Sequence, residues 1–431
     1  MKTTLLLSLV AVVLAKVEGS AQTPRAPLPG ALAVDEPQAV YTDDPQDSWN
    51  RIFHCLFTRV LKIRLSEDFP EGAPFAESGA GGMSGKKVST RIFERIESGD
   101  RAIEPLYPHE QFRAAVSAAQ LLEEPRFSEI RKALAAALAE PESRPPLARA
   151  LMQSDVWAAY DFLARDVTDW ILKDAPIALF RERQAVLRGL LAPLIRKLAL
   201  TSAEIQALPD NYAASGAKLP DLFGADSGWL EVQGNAEREH ERAAWNRRAA
   251  RVFLKPLEKP ADRREFLGKG NDADFHKQIE AAALVIQNLL VNQRGEVVPS
   301  PLTYSVQIRV LAGGDQPKSF AEFELTRRGL LTNAEPGGLR EVAHDLPGYV
   351  PGAGNDYSYA SPIDGVPLAV LEGTRCAFCH TGNPIFTFAT LRKADAPRVV
   401  FQTAQENAQA VSVAKAKMKT EIFRKMLEDW Q

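Results

Sequence analysis

Leu302-Thr303-Tyr304-Ser305-Val306-Gln307-Ile308-Arg309-Val310 alternates apolar and polar side chains along its whole length, and a period of two marks a β-strand. Upstream, AALVIQNLLV (282–291) is rich in strand formers and is separated from it by the turn residues NQRGE (292–296). Downstream, AGGDQPK (312–318) supplies a second turn before FAEFEL (320–325). Short strand runs divided by Gly, Asn and Asp predict an antiparallel meander. RVFLKPL (251–257) is a candidate for a further strand, whereas the charged run AEREHERAAWNRRAAR (236–251) predicts a solvated helix face.

Toward the N-terminus the period changes. WNRIFHCLFTRVL (49–61), EQFRAAVSAAQLLEE (110–124), SEIRKALAAALAEP (128–141), LARALMQSDVWAAYDFLARDV (147–167) and FRERQAVLRGLLAPLIRKLAL (180–200) carry apolar residues at helical spacing. The Gly- and Ser-rich EGAPFAESGAGGMSGKK (71–87) interrupts them as a loop. Thr201 followed by Glu204 has the spacing of a capping box, so a short helix opens there and LPDNY (208–212) closes it. Residues 346–366 are rich in Gly, Pro, Asp and Tyr and read as an irregular segment. The run TAQENAQAVSVAKAKMKTEIFRKMLEDW (403–430) contains neither Pro nor Gly and predicts one terminal helix packed back on the segment before it.

A chain of 431 residues exceeds one ordinary core, and about two or three packed units are expected. Apolar residues make up 45%, charged residues 25%, and the formal charge is −3. That balance argues against a nucleic-acid groove, which shows as a basic excess or a basic face. The start MKTTLLLSLVAVVLAKVEGSAQ has the basic Lys2, an apolar run from Leu5 to Ala15, and small residues at Gly19 and Ala21. It reads as a secretory signal peptide cut after Ala21. The apolar run falls short of the roughly 20 residues of a bilayer span, so a membrane anchor is the weaker reading. The mature chain is expected to be exported, periplasmic or beyond, with no membrane span. The expected division is a signal peptide (1–21), a flexible leader (22–47), a helical domain (48–215), a mixed domain with an antiparallel sheet (216–345), and a small, mostly helical unit (346–431). The fold class is α+β.

The three cysteines do not make a disulfide framework. Cys55 stands alone in an apolar run and reads as a buried thiol. The other two lie in Arg375-Cys376-Ala377-Phe378-Cys379-His380, which contains C-x-x-C-H, the haem attachment pattern. Two thiols separated by two residues on one turn can each add to a different vinyl group of one porphyrin, and the next residue brings an imidazole under the iron. A zinc site needs two further thiolates or imidazoles at a matched spacing, and no second ligand pair is present. A thioredoxin-like dithiol sits at a strand-to-helix turn, whereas the residues upstream here are irregular.

The motif resembles the attachment site of c-type cytochromes, over little more than these residues. The resemblance implies one covalent haem c, held by Cys376 and Cys379 with His380 as an axial ligand of the iron. It agrees with export, because covalent haem attachment in bacteria resembles a process completed outside the cytoplasmic membrane. In the compact cytochrome fold the motif stands near the start, and a methionine on a later loop supplies the second axial ligand. Here the motif stands near the end of the chain. The candidate distal ligands are Met418, Met426 and His344, although the spacing of the two methionines reads first as core-facing.

Axial ligation decides what such a haem does. A filled sixth position implies electron transfer with a redox protein as partner, and this reading ranks first because it demands nothing beyond the residues in view. An open position implies a haem-dependent oxidoreductase, peroxidase- or oxygenase-like, for which the size of the chain speaks. A haem-linked binding or sensing module is the third reading. Tyr357, Tyr359, Arg392 and Lys393 are polar groups in sequence reach of the motif, and each has an ordinary explanation as a solvent-facing or propionate-pairing side chain.

Overall fold

The computed structural model describes residues 37–62, 101–105, 121–165, 176–233, 248–271, 274–313, 319–342, 402–403 and 408–430. The stretches read from sequence as a signal peptide (1–21), a loop (71–87) and an irregular segment (346–366), and the C-x-x-C-H motif, lie outside them. The packed chain begins ahead of Ser48: Val40 is buried, and both its amide and that of Tyr41 donate to the Asn50 side chain. Helix α1 (Ser48–Phe57) buries Trp49, Ile52, Phe53 and Leu56, the spacing of one helical face. It stops earlier than the periodicity suggested. Thr58–Lys62 leaves it as strand β1 and pairs antiparallel with β2 (Arg101–Pro105). The β-branched Thr58 and Val60 suit that change of conformation.

Helix α2 (Arg126–Ala139) sends the Arg126 side chain to the carbonyls of His54 and Cys55, satisfying acceptors at the end of α1. Helix α3 (Pro146–Leu163) begins at Pro146, where a missing amide costs nothing. It is buried along nearly its whole length. Helix α4 (Ile177–Leu198) packs beside α2 and α3, and its Lys197 donates to the carbonyls of Ala137, Leu138 and Glu140 that α2 leaves open. Helix α5 (Ser202–Gln206) has the expected capping box: the Glu204 amide donates to Thr201 Oγ1, and the Thr201 amide donates to the Glu204 carboxylate. Helix α6 (Asn211–Ala214) follows.

The sheet is the predicted meander, extended. Strands β3 (Leu230–Gln233), β4 (Arg248–Pro256), β5 (Ile279–Val291), β6 (Val297–Val310), β7 (Ser319–Leu325) and β8 (Leu339–Val342) lie side by side in chain order, all antiparallel. Helix α7 (Arg263–Gly268) lies between β4 and β5 in sequence, and α8 (Arg327–Thr332) between β7 and β8. A short strand β9 (Gln402–Thr403) pairs with β3, so the full order is β8-β7-β6-β5-β4-β3-β9. The β5–β6 hairpin turns at Asn292–Glu296, where Gly295 adopts a φ of +74°, which glycine reaches without strain. Residues 248–251, read from sequence as the end of a solvated helix, belong to β4. Their arginines are buried there, and Arg251 donates to Glu231 on the neighbouring strand at 2.8 and 2.7 Å.

Register fixes the two faces, because residues directly opposite one another share a face. On the first, Phe253, Ala283 and Ile308 stand in one row and Val285, Val306 and Phe323 in another, packed with Ile205, Tyr212 and Leu151 of the helices. On the second, Val252 and Leu284 are opposite, and this part of the face packs with Phe266, Leu267 and Phe275. A sheet covered on both faces is the framework on which everything else is hung.

The C-terminal run is two helices, not one. Helix α9 (Ala408–Met418) ends before Thr420, whose hydroxyl accepts from the Phe423 amide and caps α10 (Glu421–Glu428). Both return to the N-terminal helices: Ala410, Val413, Phe423 and Met426 share one apolar cluster with Trp157, Leu191 and Trp49. Each large apolar side chain so buried contributes about 1.5–3 kcal/mol.

Candidate functional site

Cys376, Cys379, His380 and His344 lie outside the described residues, as do Tyr357, Tyr359, Arg392 and Lys393. The described residues do fix the two ends of the segment that carries them. That segment leaves the sheet after Val342 on β8 and rejoins it at Gln402 on β9. These are the opposite edges, separated by roughly 29 Å at the usual spacing of about 4.8 Å between strands. The candidate distal methionines are both on the C-terminal helices. Met426 is 0% exposed inside the apolar cluster, and Met418 packs partly against it. Cys55 is buried, as its apolar run suggested.

The second face of the sheet changes character between β5 and β8. Ala250, Ile286, Ser305, Glu324 and Arg340 stand in one row across five strands, and Arg248 lies opposite Asn288 one step further along. Gln307 and Arg309 continue the same face along β6. Arg248, Asn288, Ser305, Arg309 and Glu324 are all buried. Asn288 Oδ1 and Ser305 Oγ have no hydrogen-bond partner, although each residue is only 1% exposed. Buried polar groups are ordinarily paired, and these two are exceptions on one face.

Tyr304 separates these residues. The β5–β6 register steps from Ile286 opposite Ser305 to Gln287 opposite Thr303, which makes Tyr304 the extra residue of a bulge. The Arg248 guanidinium lies 3.8 Å from the centre of its ring, and that of Arg327 lies 6.0 Å away. Burial pushes the Tyr304 phenol well above its ordinary pKa, so it stays protonated.

Charged pairs tie α3 to its surroundings. Arg327 Nε and Nη2 each donate to Asp155 at 2.7 Å, and the Tyr41 hydroxyl donates to the same carboxylate. Burial opposes the Arg327 charge, and the adjacent Asp155 carboxylate outweighs it, holding the guanidinium above its usual range. Further along α3, Lys417 Nζ donates to Asp161 at 2.7 Å with the lysine side chain 0% exposed, and the Tyr160 hydroxyl donates to Asp429 at 2.6 Å. The two pins hold α9 and α10 against adjacent residues of one helix.

No group of His, Cys, Asp and Glu among the described residues is arranged to hold a metal ion. None of the described helices is long and apolar enough to cross a membrane. Comparison with protein-family models, with curated proteins and with solved structures finds no match to this chain. The polar row on the second face escaped the reading of the sequence. Ser305, Gln307 and Arg309 were plain as the polar half of an alternating strand, a pattern that ordinarily means a solvated face. Only register brings Arg248, Asn288 and Glu324 beside them.

Proposed function

We propose that the chain is an exported c-type haem protein that passes electrons through one covalently bound haem, with a redox protein as its partner. The observation that carries this reading is C-x-x-C-H at Cys376–His380. Cys376 and Cys379 would hold the porphyrin through thioethers to its vinyl groups, and the His380 imidazole would be the ligand this chain offers the iron. The donor set fits that group: two thiols and an imidazole, with no second ligand pair in the sequence that would favour zinc. The bound haem supplies a one-electron couple whose potential its axial ligands and surroundings set.

A second reading, a haem-dependent oxidoreductase of peroxidase or oxygenase type, is favoured by the size of the molecule around the motif. A sheet buried on both faces and a layer of helices are far more than a bare carrier needs.

The test is an absorption spectrum of the exported protein, oxidised and reduced, with carbon monoxide added to the reduced form. A low-spin spectrum that carbon monoxide leaves unmoved is expected. A high-spin spectrum that shifts with carbon monoxide would replace electron transfer by the second reading. Replacing Cys376 and Cys379 by alanine removes covalent haem, and a haem-staining band that survives denaturation in that variant sinks both.

A further inference from the structure

We propose that the groove between α2 and α4 docks an acidic amphipathic helix of a partner protein, with Arg131 and Lys132 as its cationic wall and Gly189 as the point of closest approach. The surface is independent of the haem reading above. The two helices run side by side in the same direction. Arg183, near the start of α4, donates to the Leu122 carbonyl and to Glu124 just ahead of α2, and Lys197, near the end of α4, donates to carbonyls at the end of α2. Between them lies a groove of about 760 Å³ that is open to solvent, with Arg131, Lys132 and Ala135 on the α2 side and Ala185, Val186 and Gly189 on the α4 side.

The α4 wall is apolar and low. Gly189 lies inside a helix of 22 residues, where glycine is less stable than alanine. Nothing around it requires the missing side chain: a Cβ placed there meets no atom within 4 Å. Ala135 and Ala185 are exposed beside it, and Val186 is 39% exposed. Bare backbone flanked by small side chains lets a second helix come close, and Val186 supplies an apolar contact for it.

The α2 wall is cationic. Arg131 and Lys132 are both exposed, and neither forms a salt bridge among the described residues. Glu124, the carboxylate that feels the Arg131 charge, is already paired with Arg183 at 3.0 Å. A groove with cations along one wall and apolar atoms along the other matches a helix that carries acidic residues beside an apolar stripe. An extended peptide would leave its backbone amides and carbonyls facing apolar side chains, whereas a helix satisfies its own. A bilayer is too flat to enter the groove, and a two-fold pairing of two copies would bring the same cationic wall from both sides.

The test measures fluorescence anisotropy of the full-length protein with fluorescein-labelled, hydrocarbon-stapled 18-residue helices built of Leu and Ala on one face, with Glu, Gln or Lys along its edge. Stapling removes the cost of folding the probe. The Glu helix is expected to bind, more weakly as salt rises, and the Gln helix about tenfold more weakly. Arg131→Gln with Lys132→Gln is expected to remove the preference for Glu over Gln. Gly189→Leu is expected to abolish binding while melting no lower than the parent, since the added side chain enters open space. No binding of the Glu helix, equal binding of all three helices, or parent affinity in Gly189→Leu would overturn the proposal. So would a parent dimer in light scattering that Gly189→Leu dissociates, which gives the groove to a second copy. Flotation with phosphatidylglycerol vesicles that Gly189→Leu abolishes would give it to a membrane and overturn it equally.

Discussion

Asp155→Ala should be among the most damaging single changes in the described part of the chain. Asp155 accepts two hydrogen bonds from Arg327 at 2.7 Å and a third from the Tyr41 hydroxyl, and both charged side chains are almost fully buried. Removing one partner strands a guanidinium out of water, which costs about 3–5 kcal/mol. The lost acceptor of Tyr41 adds about 1 kcal/mol. Against a typical total stability of about 5–15 kcal/mol, a loss of that size moves the denaturation midpoint far. The assay is urea unfolding followed by tryptophan fluorescence, for which the buried Trp49 and Trp157 are natural reporters. The paired change Asp155→Leu with Arg327→Met, which removes both charges, should recover most of the loss. A drop of less than about 1 kcal/mol in the single variant would show that the pair is solvated and would refute the reasoning.

Burial holds the phenols of Tyr160, Tyr212 and Tyr304 above their ordinary pKa of 10.0, with the Asp429 carboxylate adding to the effect at Tyr160. The folded chain keeps protons that the unfolded chain releases, so this stability is full below that value and is lost as pH rises through the alkaline range. Thermal melts in steps above neutrality should show it, and Tyr212→Phe should flatten the decline. Thr201→Ala breaks the capping box of α5 and should cost about 1 kcal/mol in chemical denaturation. Met426→Ala opens a hole in the apolar cluster and should cost about 2–5 kcal/mol, measured in the same way.

The meander and the helical N-terminal layer were legible because period two and period 3.6 are written directly in Leu302–Val310 and in runs such as LARALMQSDVWAAYDFL. The capping box at Thr201 was legible for the same reason: it is a local device whose partners are three residues apart. What failed was set by distant partners. Thr58–Lys62 is a strand because Arg101–Pro105 lies beside it, and Arg248–Arg251 is a strand because β5 lies beside it and Glu231 takes the Arg251 charge. The terminal helix divides at Thr420, a capping residue whose effect an unbroken polar-apolar pattern conceals. The C-x-x-C-H pattern is a matter of spacing along the chain. The orphaned Asn288 and Ser305 are a matter of register, which no single strand reveals.

The pins between α3 and the C-terminal helices have a consequence for a cut chain. The Lys417–Asp161 and Tyr160–Asp429 contacts, the burial of Phe423 and Met426, and the β9–β3 pairing all join residues beyond Gln402 to residues before Val342. A single protease nick between those two points severs the backbone and none of these contacts. The two pieces should therefore travel together through a sizing column under native conditions and part only in denaturant.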